Sequence, residues 1–254
     1  MDNLNKIIEK IEKFAPPELA CDWDNSGWQV FLGNKSVNKV LLALTCTPDT
    51  VNQAVKNGCD LIISHHPVLF EKFNKISVEN NALLPVITAI KHNIQIYSAH
   101  TNLDSAPGGI ADKLAELLCL NNIEIPKQLS EDSRLARVGE FEEEKDLNLF
   151  IKELKEILKI GKIKLINPSG KTKIKKIAVI PGGGASFIPK IKDIDMLITG
   201  DIRYHNALEA ENIVVIDAGH FETEIIILPV LKELLSEFSV EVILSEEKSP
   251  WEII

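Results

Sequence analysis

Two adjacent histidines after a strongly apolar segment are the clearest candidates for chemistry in this sequence. Residues 60–64 (DLIIS) are typical of a buried strand, and His65, His66 and Pro67 follow directly. Pro67 removes a backbone donor and restricts the residue before it, so the chain bends here and the two imidazoles can converge. Neutral imidazole is a common ligand of Zn, Fe, Mn and Ni. The pair indicates a transition-metal site, with two hydrogen-bonded turn histidines as the alternative.

Two further motifs place a carboxylate four residues after a histidine: His220 with Glu224, and His100 with Asp104. On a helix, residues with this spacing share one face. The structural alternatives are an acidic helix start and an Asx turn or cap at Asp104. Because the carboxyl ends of parallel strands meet at one edge of a sheet, the motifs can converge. We therefore predict two divalent ions held by His65, His66, Asp104, His220 and Glu224.

Two histidines near these motifs are candidates for proton transfer. His205 follows a predicted strand end in the segment GDIRYH, and His100 lies between the ligand motifs. His100 can also serve as a sixth ligand, and that alternative stays open. The loop Gly182–Gly184 between a strand and a helix is equally consistent with phosphate binding and with a tight turn, because it lacks the Lys-Ser/Thr of a P-loop.

Strand-like and helix-like segments alternate along the chain, which is typical of a parallel α/β fold. In the first half they are residues 40–45, 49–57, 60–64, 80–91 and 94–98. The same order recurs at residues 177–180, 184–192, 196–199, 204–211 and 213–216. The recurrence indicates a weak internal duplication in which Asp104 corresponds to Glu224. The alternative is that all βαβ units obey the same packing rules.

The middle of the chain does not follow the alternating pattern of the two halves, which indicates a second domain. An amphipathic helix is predicted at residues 147–158, and a lysine-rich β-hairpin is predicted on either side of residues 167–170 (NPSG). We predict a second α/β domain at residues 129–217, inserted into a first domain made of residues 1–128 and 218–254.

The composition is that of an ordinary globular protein and limits the function classes. The formal net charge of -9 argues against nucleic acid or anionic lipid as the main partner. No apolar stretch is long enough to span a membrane, and the first residues do not resemble a signal peptide. The four cysteines show no CxxC spacing and suggest buried thiols in a reducing compartment. A cytoplasmic location is expected.

Five motifs of the chain resemble, in order, those of one known family. They are APPELACDWDNSGWQV, DLIISHHPVLF, SAHTNLD, ITGDIRYHNALEA and DAGHFETE. They resemble the dinuclear-metal hexameric family known as GTP cyclohydrolase 1 type 2 homologs. The resemblance implies two interlinked α/β domains built on similar βαβ units, a toroidal homohexamer with metal sites facing an inner cavity, and the same five ligands that the motifs indicate.

The resemblance also implies a reaction, hydrolytic opening of the GTP imidazole ring with release of formate. The expected function is therefore a dinuclear metal-dependent hydrolase of a nucleotide or related small molecule, with a bridging hydroxide as nucleophile. The alternative is a non-catalytic metal-binding protein that acts as an interaction or metal-handling assembly. Fold analogy alone does not choose between them.

Overall fold

The structure is a computed structural model that describes residues 2–34, 36–127, 129 and 131–251. The strands in chain order are β1 Asp2–Asn3, β2 Gly27–Val30, β3 Ser36–Val37, β4 Lys39–Thr45, β5 Leu61–His66, β6 Gln95–Ser98, β7 Asn121–Glu124, β8 Arg137–Asp146, β9 Lys164–Ile166, β10 Lys173–Val179, β11 Met196–Thr199, β12 Val214–Asp217 and β13 Glu241–Leu244. The α-helices are α1 Leu4–Phe14, α2 Pro48–Asn57, α3 Leu84–Lys91, α4 Thr101–Ser105, α5 Ile110–Leu117, α6 Leu147–Leu158, α7 Tyr204–Leu208, α8 His220–Glu224 and α9 Leu228–Leu234. This is the mixed α/β architecture that the alternating pattern predicts.

The chain divides into two compact units. Unit 1 contains Met1–Ala106 and Ile227–Lys248, and unit 2 contains Pro107–Ile226 and Ser249–Ile254. These bounds differ from the predicted domain limits at 128 and 217, and residue 128 itself lies outside the described residues. The physical reason is packing: α5 contributes Leu114 to the core of unit 2, and β7 pairs with β8.

Unit 1 is built on a five-stranded sheet in the order β13-β4-β5-β6-β2. β13, β4, β5 and β6 run parallel, and β2 is antiparallel to β6. The central strands β4 and β5 are buried on both faces, as their continuous apolar sequences predict. The carboxyl ends of β4, β5 and β6 therefore lie side by side.

The helix α2 shows how local sequence sets the ends of these elements. The Thr47 hydroxyl accepts a hydrogen bond from Thr50 N, and Pro48 occupies the first turn, where its missing N–H costs little. Gly58 ends the helix at a φ of 66°, a left-handed conformation that glycine adopts without strain. β5 follows after two residues and leads to His65 and His66.

Unit 2 is built on a six-stranded sheet in the order β7-β8-β10-β11-β12-β9. Alternate residues of its central strands enter two different hydrophobic clusters: Ile177, Met196 and Ile198 face α5 and α6, whereas Ala178 and Leu197 face the segment after β10. This period of two places one layer on each face of the sheet. The strands β10, β11 and β12 are parallel to one another, in the same order as β4, β5 and β6.

Three predicted helices are shorter in the structure. α7 spans Tyr204–Leu208 instead of residues 204–211, and proline explains the other two. Instead of residues 80–91, α3 spans Leu84–Lys91, because Pro85 fits only the first turn and Asn80 forms the preceding turn through Leu83 N. Instead of residues 184–192, only Gly184–Phe187 is helical, as a 3₁₀ turn. Ile188 keeps a helical backbone, but Pro189 lacks the N–H that would continue the hydrogen bonds of the helix.

The predicted lysine-rich hairpin is wrong. A turn does form at Asn167, whose side chain bonds to both the N–H and the carbonyl of Lys171. However, β9 pairs with β12, whereas β10 pairs with β8 and β11. In the sheet, β11 and β12 therefore separate the two strands that were expected to pair. Alternating polarity indicates one exposed face but does not specify the partner strand.

The structure also bears on membrane and redox expectations. No helix within the described ranges combines the length and the apolar character needed to cross a bilayer. None of the cysteines forms a disulfide in this part of the chain. Cys46 and Cys59 are buried as expected, and burial raises the pKa of the Cys46 thiol to about 12, whereas Cys119 is exposed.

Candidate metal centre

The histidine pair lies at the carboxyl end of β5, and neighbouring strands fix both rings. His65 is fully buried, and its Nδ1 lies 2.9 Å from the Ala99 carbonyl oxygen, which can only accept. Parallel pairing places Thr45 beside His66, and the Thr45 hydroxyl lies 2.8 Å from His66 Nδ1. In both rings Nδ1 is therefore engaged by the protein, which assigns the ligand role to Nε2.

Asp104 joins this cluster from α4, the short helix that follows β6. Its side chain is almost buried, and its Oδ1 lies 3.8 Å from His65 Nε2. This separation is too long for a hydrogen bond. It is close to the roughly 3.4 Å expected between two tetrahedral ligands that each lie about 2.1 Å from one ion.

His100 also belongs to the cluster in unit 1. Ligand atoms of His65, His66 and His100 all lie within 4.8 Å of one another. His100 Nδ1 lies 2.6 Å from Asp24 Oδ1, and because a carboxylate only accepts, Nδ1 carries the proton. A group of two or three imidazoles and a carboxylate, with His65 and Asp104 buried, fits a divalent transition metal, so the residues of this unit suit the ion that the sequence predicts.

Unit 2 carries the second predicted motif on α8. His220 Nε2 lies 3.1 Å from Glu224 Oε2, which confirms that the four-residue spacing brings the two side chains together. His220 Nδ1 donates to Asp201 Oδ2 at 2.7 Å. Burial opposes protonation of His220, but the hydrogen bonds and negative charges of Glu224 and Asp201 raise its pKa to about 9. The pair thus favours a positive charge, whether a proton or a cation.

The glycine loop after β10 makes room for Glu224. At Gly182, φ is 64°, and a Cβ there would lie 1.9 Å from Glu224 Oε1. Its N–H donates to Thr223 Oγ1, and Gly184 N–H donates to Thr199 Oγ1. These amides are used within unit 2, so the structure supports the tight-turn interpretation of the loop over phosphate binding.

His205 is placed differently from the other predicted site residues. It is exposed on α7, and its ring contacts exposed Tyr204 at 5.4 Å between centroids. No group of three or more close ligand atoms in the described part of the chain includes it. Its role in proton transfer stays a prediction.

Three residues beside the histidines were not identified from sequence. Thr45, Asp24 and Asp201 contact His66, His100 and His220 respectively. Asp24 precedes His100 by 76 residues, so no local spacing connects them. Its only local signal is its place in the polar, aromatic segment from Trp23 to Trp28, a pattern that fits either a cleft mouth or a packed turn.

Comparison with known proteins agrees with this geometry. The family model Duf34/NIF3 (NGG1p interacting factor 3) matches residues 2–250. The chain belongs to the Duf34/NIF3 family. A relative from Clostridium acetobutylicum, named GTP cyclohydrolase 1 type 2 homolog, is 38% identical over 221 residues, which cover 84% of this chain and 82% of the relative. The family expected from the motifs is thereby confirmed.

Two other similar proteins extend the comparison. The NGG1-interacting factor 3 of Saccharomyces cerevisiae is 31% identical over 96% of this chain and 94% of its own length. The solved structure of reduced HcgD from Methanocaldococcus jannaschii is 30% identical, covers 97% of this chain and 100% of that one, and superposes with a TM-score of 0.85. The α/β fold is therefore that of the family.

Proposed function

We propose that this protein is a dinuclear, divalent-metal-dependent hydrolase acting on a nucleotide or related small molecule. The proposed ligands are His65, His66 and Asp104 of unit 1 and His220 and Glu224 of unit 2, the set that the family resemblance implies. The observation that carries the proposal is the histidine cluster in unit 1, where the Nδ1 atoms of His65 and His66 are both engaged. Such partners orient imidazoles toward a metal ion.

The bound ions would polarise the substrate and lower the pKa of water at the centre to near neutrality. The protein itself would orient the ligand side chains and transfer protons. Ala99 and Thr45 hold the rings of His65 and His66, and Asp104 supplies negative charge from a buried position. His100 is our candidate for moving the leaving-group proton at Nε2, and His205 is a second candidate.

The name of a relative supports the proposed substrate class, and the charge of the chain indicates what would have to bind the phosphates. The Clostridium acetobutylicum relative is named for GTP cyclohydrolase. A protein of net charge -9 has little general attraction for phosphates, so the ions would supply the local positive charge for a nucleotide. The specific reaction we propose is opening of the GTP imidazole ring with formate release.

A panel assay tests this proposal. Protein loaded with Zn, Mn, Fe or Ni is incubated with GTP, other nucleotides and simple phosphoesters, and formate and phosphate are measured. We expect turnover that chelator abolishes and added metal restores, and that is lost in His65→Ala. His92→Ala, which alters an exposed residue at the end of α3, is the matched control. Fully metallated protein that releases neither product from any compound would refute the hydrolase proposal.

A second candidate function is a metal-binding interaction protein. The name of the yeast relative, NGG1-interacting factor 3, favours it. Under this alternative the ions stabilise an assembly or are passed to a partner, and no substrate turns over. Metal that exchanges rapidly to an acceptor protein, together with an inactive panel, would support this alternative over the hydrolase.

We also propose a homohexamer in the cytoplasm, from the family resemblance. Light scattering at micromolar concentration should give about six times the chain mass. A monomer mass would refute the assembly without affecting the metal ligands of each chain.

A further inference from the structure

A buried carboxylate contacts His100 at Nδ1. It belongs to a segment that carries none of the proposed metal ligands. The side chain of Asp24 is 0% exposed. Its Oδ2 accepts hydrogen bonds from Ser26 Oγ at 2.7 Å, Thr101 Oγ1 at 2.5 Å and Thr101 N at 3.1 Å. Its Oδ1 accepts from Asn25 N at 2.7 Å and from His100 Nδ1 at 2.6 Å.

This environment keeps Asp24 charged and immobile. A carboxylate has roughly four lone-pair sites, and five donors approach this one. Both oxygens are therefore fully used as acceptors. Burial by itself would raise the pKa of Asp24, but the hydrogen bonds from His100, Thr101 and Ser26 hold it well below its usual range. The carboxylate is therefore a fixed negative charge at Nδ1 of the imidazole.

The ring of His100 is held by other rings as well. Its centroid lies 5.1 Å from that of His65 and 5.7 Å from that of His66. Trp23 and Phe70 each pack edge-on against it at 6.2 Å. The hydrogen bond from Nδ1 to Asp24 and these ring contacts together favour one orientation of the His100 ring.

Hydrogen bonds tie together the two segments that carry these rings. The Asn25 side chain donates to the Leu69 carbonyl at 2.5 Å, and Leu69 N donates to Gln29 Oε1 at 3.0 Å. The Gln29 side chain in turn donates to the Asn25 carbonyl at 2.8 Å. These hydrogen bonds fix the two segments that carry Trp23 and Phe70 relative to each other, so both aromatic rings are held in place beside His100.

We propose that Asp24 is a positioning residue that fixes His100 as the Nδ1–H tautomer and so presents Nε2 as a proton acceptor. For its catalytic consequence, this inference rests on the proposed hydrolase function. Nε2 takes a proton from the attacking water, so that one O–H bond breaks and one N–H bond forms. The Asp24 carboxylate stabilises the resulting imidazolium. The same proton then passes from Nε2 to the leaving-group atom, which restores the neutral ring.

The tautomer can be measured whether or not a substrate is known. Zinc-loaded protein with 15N-labelled histidine is studied by NMR at mildly alkaline pH, and His100 is assigned from the signal lost in His100→Gln. We expect a protonated Nδ1 and a non-protonated Nε2 in the wild-type protein. A ring protonated at Nε2, alone or together with Nδ1, would overturn the proposal, and this result needs no variant of Asp24 to fold.

Asp24→Asn and a matched control sharpen the test. Asparagine keeps the shape, but its NH2 group must face a backbone N–H on either side, from Asn25 or from Thr101. Loss of the charge-assisted bond should shift the tautomer ratio toward Nε2–H by about fivefold or more. Ser26→Ala removes the hydroxyl that bonds Asp24 Oδ2, Asn102 Oδ1 and His100 N, but it leaves the bond from His100 Nδ1 to Asp24 Oδ1 in place. It should therefore leave the tautomer unchanged. An unchanged tautomer in Asp24→Asn would overturn the proposal.

Kinetics separate the positioning role from a structural one. With any nucleotide that the zinc-loaded protein hydrolyses, Asp24→Asn should lower kcat by about a hundredfold or more with little change in KM or in zinc content. An equal loss of zinc would instead make Asp24 a structural support of the centre and overturn the proposal. A wild-type protein without turnover refutes the hydrolase function, whereas the NMR result still decides the tautomer.

Discussion

His100 follows β6 in unit 1 and His220 follows β12 in unit 2, and each donates Nδ1–H to an aspartate, at 2.6 Å and 2.7 Å. Their surroundings differ. The side chain of Asp24 is 0% exposed, whereas that of Asp201 is 58% exposed. A local pairing that looks the same in both units is therefore buried in unit 1 and partly exposed to solvent in unit 2.

The difference shows that a contact distance alone does not set the importance of a histidine–carboxylate pair. Water screens the exposed pair in unit 2, and such pairs contribute about 0–1 kcal/mol. The pair in unit 1 is anchored by Ser26 and Thr101, and breaking a buried charged network costs several times more. We infer that Asp24 sets an orientation, while Asp201 mainly supports the positive charge on its partner.

The largest expected effect is on metal binding by the ligands themselves. His65→Ala and Glu224→Ala should each lower zinc affinity by about a hundredfold or more, because each removes a direct ligand. Elemental analysis of protein purified without chelator should give one to two ions per chain for the wild type and for His92→Ala. Equal occupancy in all the variants would contradict the ligand assignment in both units.

Stability measurements test the comparison between the aspartates directly. Asp24→Ala should lower the free energy of unfolding by about 3 kcal/mol, because it leaves several buried donors without their acceptor. Asp201→Ala should change it by less than about 1 kcal/mol, since that side chain is largely exposed. Urea denaturation of chelator-treated protein measures both. Similar losses for the two variants would mean that burial does not distinguish the pairs.

A glycine comparison tests the geometry around Glu224 in unit 2. Gly182 and Gly170 have nearly the same φ, 64° and 65°, so alanine at either position should cost about 1–2 kcal/mol of backbone strain. Only at Gly182 would the new Cβ meet Glu224, whereas nothing lies within 4 Å at Gly170. Gly182→Ala should therefore lower zinc affinity by about tenfold, and Gly170→Ala should not. Isothermal titration would show whether the two differ.

The smallest expected effect is the pH dependence of stability in unit 2. Because the pKa of His220 is raised to about 9, its protonated form stabilises the fold fully below its ordinary value near 6.5, and this contribution is lost as the pH rises toward 9. Chelator-treated protein should therefore lose stability across this window, and His220→Gln should lose less. A parallel decline in wild type and variant would assign the pH dependence to other groups.

Much of the fold and of the candidate site was predictable from sequence. The apolar runs predicted β4, β5, β6 and β11 to within a residue or two, because strands buried on both faces are continuous and short. The spacing of four between His220 and Glu224 predicted their contact, because helix geometry alone determines which side chains share a face. Residues that act through local geometry are visible in a single sequence.

Other features depend on which distant segments pack together, and only the tertiary structure decided them. The partners of β9 and β10, the inclusion of α5 in unit 2 and the burial of Asp24 each involve segments far apart in the chain. Sequence by itself determined that His100 follows a strand end beside metal-ligand motifs. Only the fold places Asp24 behind it, because no periodic pattern encodes a contact between two loops separated by 76 residues.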